Sequence, residues 1–192
     1  MTDPRTPSAD EVRALVRRIV DQTLDSNTAS APADGRTVVA IAGDHGGWRM
    51  KDAIGKWLEE KGYAVRDCGT HSDDAVDYPD LALAVAQLVA DGTCKWGIVV
   101  DGAGIGSAMA ANKVPGVRAA NCHDISSARN SREHNYANLL TLGSGFLGNA
   151  LALQIVSTWL DTDWGAERHG RRVEKISAIE RTYTGVPGGK ER

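Results

Sequence analysis

Four short stretches hold most of the residues able to do chemistry: Gly43-Asp44-His45-Gly46-Gly47, Asp101-Gly102-Ala103-Gly104-Ile105-Gly106, Arg132-Glu133-His134-Asn135, and Arg168-His169-Gly170-Arg171-Arg172. The second has glycine at alternate positions. Such a loop lets backbone amides turn inward and approach an anion, and a following helix start adds positive potential. On its own it is equally a tight strand-to-helix turn. Asp101 stands immediately before it, and a carboxylate beside an oxyanion nest suits proton abstraction next to a carbonyl. A lone histidine is more often a satisfied structural residue, but His45 and His134 each lie beside Gly or Asn next to a strand, which favours a site. Arg168 and Arg172 are four residues apart, so they share one side of a helix, either as a solvated face or as a phosphate clamp. Cys68, Cys94 and Cys122 lack metal-ligand spacing and read as packing residues.

These stretches need elements to position them. Strands are expected at residues 37–42, 63–68, 96–100, 117–122 and 139–142. Helices are expected at 48–61, 78–91 (opened by Pro79), about 107–112, 124–134, 150–160 and roughly 168–183. Repeated strand–helix order implies a parallel sheet with helices on both faces, and ligands bind beyond the carboxyl ends of its strands. All four stretches are therefore expected at that end. An amphipathic segment precedes this array. Val12, Leu15, Val16, Ile19, Val20 and Leu24 fall on one helical face, with Ser8 and Glu11 at capping-box spacing. Residues 25–36 read as a flexible linker and 185–192 as a frayed tail.

The chain has 192 residues, of which 42% are hydrophobic and 24% charged, and a formal charge of −3. That is ordinary globular composition, enough for one domain with a real core. It lacks the basic footprint of a nucleic-acid binder, an apolar run long enough to span a membrane, and a signal peptide. Three cysteines do not make a disulfide framework, so a reducing, cytoplasmic setting is expected. Dinucleotide binding is disfavoured, because the glycine loop follows the third strand and is not G-x-G-x-x-G.

Together with Asp77-Tyr78-Pro79 and residues 110–118 (AANKVPGVR), these stretches resemble the ribose-5-phosphate isomerase B and galactose-6-phosphate isomerase family across residues 38–181. The resemblance implies a Rossmann-like α/β/α sandwich with a five-stranded parallel sheet. It implies dimers or tetramers with active sites shared between subunits, and no metal or organic cofactor. The implied reaction is aldose–ketose isomerisation of a phosphorylated sugar through an enediolate over the amides of Gly102, Gly104 and Gly106. Asp44, His45 and His134 would bind the sugar and assist ring opening. Tyr78, Asn112 and Asn135 would line the substrate, and Arg168, Arg172 and His45 would hold its phosphate. This chain departs from the family pattern. Asp101 replaces the usual Cys base, Ala103 a Thr or Ser, Ser107 the Glu base of a second branch, and Gly145 an Arg. Asp101 is the candidate base, with ribose 5-phosphate the default substrate and a tetrose or hexose phosphate the variant. The alternative is a catalytically weak homologue that binds a sugar phosphate or serves as a shell-associated partner. The N-terminal helix and linker resemble the encapsulation peptides of bacterial microcompartments, which implies a shell-protein partner for the face from Val12 to Leu24.

Overall fold

The computed structural model describes residues 35–184. The expected N-terminal helix, most of the linker and the expected tail lie outside the described residues. Five parallel strands, β1 (Val38–Gly43), β2 (Ala64–Asp67), β3 (Trp96–Asp101), β4 (Ala119–Asn121) and β5 (Leu139–Gly143), form one sheet in the order β2-β1-β3-β5-β4. Six helices accompany them: α1 (Trp48–Glu60), α2 (Tyr78–Ala90), α3 (Ile105–Ala111), α4 (Ile125–Asn135), α5 (Asn149–Asp161) and α6 (Glu167–Thr184).

The central strands are almost wholly buried and largely apolar, as strands covered on both faces must be, with Thr141 and the terminal Asp101 the polar exceptions. Successive side chains in β1 and β3 point to opposite faces. Val39, Ile41, Ile98 and Val100 meet Ile54 and Leu58 of α1 and Ile155 and Trp159 of α5. Ala40, Ala42 and Val99 meet Leu81, Val85 and Ala86 of α2 and Ala111 of α3. Helix α6 packs against α4, outside this sandwich. Among the described residues no helix is long and apolar enough to cross a membrane.

The fourth strand is shorter than expected. Val117 and Arg118 leave the ladder because their amides bond elsewhere, Val117 to Val114 O (3.1 Å) and Arg118 to Asn138 Oδ1 (2.7 Å). Asn112 closes the same corner: Oδ1 accepts from Ala119 N (2.8 Å) and Nδ2 donates to Ala119 O (2.9 Å). Its side chain ties the end of α3 to the start of β4 and also borders a cleft with Asn135.

Candidate active site

The carboxyl end of the sheet carries a site built largely from backbone. After β1, Asp44 is buried, and its Oδ1 accepts from the amides of Gly46 (2.9 Å) and Gly47 (2.8 Å). Its Oδ2 has no partner among the described residues. Gly47 permits this turn, since a Cβ there would stand 2.1 Å from Val100 O. His45 sits exposed at the tip.

After β3, the buried Asp101 carboxylate takes four donors. Oδ1 accepts from the amides of Ala103 (2.7 Å) and Gly104, and Oδ2 from the amide of Ser107 (3.1 Å) and its hydroxyl. Two amides of the glycine loop are thus spent on the chain's own carboxylate. That corrects the expectation that Gly104 N–H faces a ligand. The amides of Gly102, Ile105 and Gly106 have no acceptor among the described residues. Gly104 has φ +76°, and a Cβ on it would lie 2.1 Å from Asn121 Nδ2 and 2.9 Å from Leu142 C. The Tyr78 ring lies against Gly106, where a Cβ would meet it at 2.5 Å. Ser144 holds the two loops together, with Oγ 2.9 Å from Gly46 O and its amide donating to Asp101 O (2.8 Å).

His134, Asn135, Arg168 and Arg172 lie elsewhere. Helix α4 runs antiparallel to the strands, so it ends at their amino end. There Arg132 donates to Ala137 O (2.6 Å), and Gly97 N at the start of β3 donates to Asn138 O (3.1 Å). The six residues of β3 separate this end from Asp101 by about 17 Å at ~3.3 Å per residue. The expectation of one cluster at the carboxyl end is therefore corrected: the expected site residues fall into two groups, one at each end of the sheet.

The amino-end half is made of side chains on helix surfaces. The imidazoles of His134 and His169 stack with centroids 4.2 Å apart and planes 12° from parallel. The Asn130 side-chain amide lies within hydrogen-bond reach of His134 Nδ1 (3.0 Å). Burial, with His134, Arg168 and Arg172 nearby, holds the His169 imidazole below the usual histidine range. Arg168 and Arg172 are exposed and unpaired among the described residues, whereas Arg171 pairs with Glu167 (3.2 Å). Exposed Asn135 lines a cleft of about 630 Å³ with Lys113, Arg118 and Ile179. Beneath the stack, the Arg132 guanidinium lies 3.9 Å from the Trp96 centroid and 4.8 Å from that of Trp159, and burial pushes it down to about 10.

Sequence reasoning passed over Ser144, Asn121 and Lys51, and noted Ser107 only as standing where a second branch has a Glu base. Their types are common, and only the fold brings them to the two loops. Lys51 is fully buried, with Nζ 2.5 Å from Asp67 Oδ2, 2.8 Å from Asp52 Oδ1 and 3.3 Å from His71 Nδ1. Those three side chains have a geometry that could hold a metal ion. The ammonium stands among them and fastens the segment between β2 and α2. Asp73 fastens it again, taking Arg49 through both oxygens (2.6 and 2.7 Å) and Trp48 Nε1 (2.9 Å).

The ribose/galactose isomerase profile matches residues 39–176, the stretch that contains both groups. The chain belongs to the ribose/galactose isomerase family. Among its relatives, ribose-5-phosphate isomerase B of Escherichia coli is 44% identical over 142 residues, 74% of this chain and 95% of that protein. D-erythrulose-4-phosphate isomerase of Pectobacterium atrosepticum is 38% identical over 146 residues, 74% of this chain and 94% of that protein. The structure of ribose-5-phosphate isomerase B from Clostridium thermocellum aligns with a TM-score of 0.76 at 50% identity, covering 77% of this chain and 99% of that one. This chain shares its fold with that solved structure, and the family marks it as a sugar-phosphate isomerase.

Proposed function

We propose that this isomerase interconverts ribose 5-phosphate and ribulose 5-phosphate, with Asp101 as the base. The observation that carries the reading is a carboxylate at the end of β3 beside three unclaimed amides, those of Gly102, Ile105 and Gly106. Asp101 Oδ2 takes the proton from C2, and the electron pair left behind makes the enediolate. The free amides bind its developing oxyanion, the O2 hydroxyl proton passes to O1, and the proton on Asp101 returns to C1, leaving the ketone at C2. Asp44 Oδ2, the free carboxylate oxygen, holds the sugar with His45.

The remaining groups come from a second copy. One chain's carboxyl-end half meets the amino-end half of another, which brings His134 to assist ring opening and Arg168 and Arg172 to the phosphate. Two copies related by a two-fold axis complete two sites at once. A tetrose phosphate is the second substrate to try, because the relative from Pectobacterium is named for one and Gly145 leaves the pocket without a side chain at that position.

The test is isomerisation of ribose 5-phosphate by purified protein, with Asp101→Asn alongside. Turnover lost in the variant supports the reading. Binding without turnover in the unsubstituted chain supports a catalytically weak homologue instead. We also propose that residues 1–24 direct the enzyme to a microcompartment shell. Fusing residues 1–36 to a fluorescent protein tests this: co-localisation with a shell supports it, and diffuse signal refutes it.

A further inference from the structure

We propose that Ser107 is a positioning residue that governs when Asp101 can accept a proton; this rests on the reading of Asp101 as base. Three of the four donors on Asp101 are backbone amides, those of Ala103, Gly104 and Ser107. They cannot leave the carboxylate unless the loop itself moves. The fourth, the Ser107 hydroxyl, turns about one side-chain bond. Ser107 is fully buried, and its oxygen has no other partner among the described residues.

A hydroxyl both donates and accepts, so its rotation does two things. It frees a lone pair on Oδ2 for the incoming proton. It then offers Oγ as acceptor to the new Asp101 O–H, a group that would otherwise be buried and unsatisfied at substantial cost. The C2 proton passes to Oδ2, the C–H electron pair stays in the enediolate, and Ser107 ends the step with the same proton it began with. In the reverse transfer to C1 the hydroxyl turns back and again donates to the carboxylate. Oδ1, held by two amides, stays fixed throughout and keeps the loop in place.

The experiment compares the unsubstituted enzyme with Ser107→Ala and Asp101→Asn, measuring kcat, KM, the pH profile of kcat/KM, and exchange of the substrate C2 hydrogen with deuterium from solvent. Ser107→Ala removes a single oxygen, and its circular dichroism and melting curve confirm folding. The expected result is a kcat lowered about tenfold or more with KM within about threefold, and an acid limb moved up by about one pH unit because the carboxylate has lost one donor. Ser107→Thr, which retains the hydroxyl, restores the unsubstituted pH profile. If Asp101→Asn is inactive while Ser107→Ala keeps both rate and profile, Ser107 is merely structural and the proposal is overturned, with Asp101 intact as base. If Asp101→Asn retains turnover, the reading of the base fails and the proposal with it. An unsubstituted enzyme that shows neither turnover nor exchange with tetrose, pentose or hexose phosphates overturns both.

Discussion

The two half-sites are built on opposite plans. At the carboxyl end, main-chain amides, buried carboxylates and glycines without room for a Cβ fix the geometry before any ligand arrives. At the amino end, exposed Arg168 and Arg172 stand on a helix that packs mainly against α4, beside the His134–His169 stack. The first half can hold a developing charge in place. The second supplies charge and a proton carrier but has no wall to close against. On the function proposed above, the first half suits proton abstraction and the second substrate capture, with a second copy of the chain joining them.

The largest effect expected is from Asp101→Asn, a loss of about 10³ in kcat/KM with binding nearly unchanged. Refolding it together with an equally inactive His134→Ala chain should restore about a quarter of full activity, since one site in each mixed dimer is then intact. Assays of the mixture against each variant alone check this, and no recovery would place both halves in one chain's site. Gly104→Ala should cost about 3 kcal/mol through its positive φ and its clash with Asn121 and Leu142. Melting curves should then fall by roughly 6–12 °C. Arg168→Ala should do the reverse, raising KM about tenfold while leaving stability within about 0.5 kcal/mol.

A smaller effect concerns pH. His169 is held below its unfolded pKa of 6.5, so the unfolded chain binds its proton first. The stability it contributes is full above pH 6.5 and is lost as pH falls through the folded value. Urea midpoints from pH 8 to 5 should decline, and His169→Gln should flatten the slope. The smallest expected effect is none. Burial pushes the Cys68 thiol up to about 12 and that of Cys94 up to about 11, and it raises Cys122. A thiol-specific dye should label none of them in the native enzyme at pH 7.5. Rapid labelling of Cys68 or Cys122 would show that the carboxyl-end half is looser than its hydrogen bonds imply.

Much of the fold was legible because its signals are local. The Val-, Ile- and Leu-rich runs at residues 37–42, 96–100 and 139–142 all became strands, and Pro79 opens α2. Strand β4 was over-read because Val117 and Cys122 look like strand residues, whereas Asn112 and Asn138 divert the ladder through side-chain bonds that periodicity does not register. Site residues could be picked out by type, but not by end of the sheet. His134 and Arg168 lie in charged, polar stretches that look as functional as Asp101's, and only the direction of α4 separates them. The partners of Asp101 were illegible for a similar reason. A glycine loop that can receive a ligand's anion can equally receive its own aspartate, and the choice depends on a hydroxyl six residues on.

The Lys51 cluster has a practical consequence. The carboxylates and imidazole around it would suit a divalent ion, yet the cation they hold is a covalent part of the chain. A chelator cannot strip it, and scarcity of a trace element cannot empty it. The wall it fastens beside the candidate active site is in place as soon as the protein has folded.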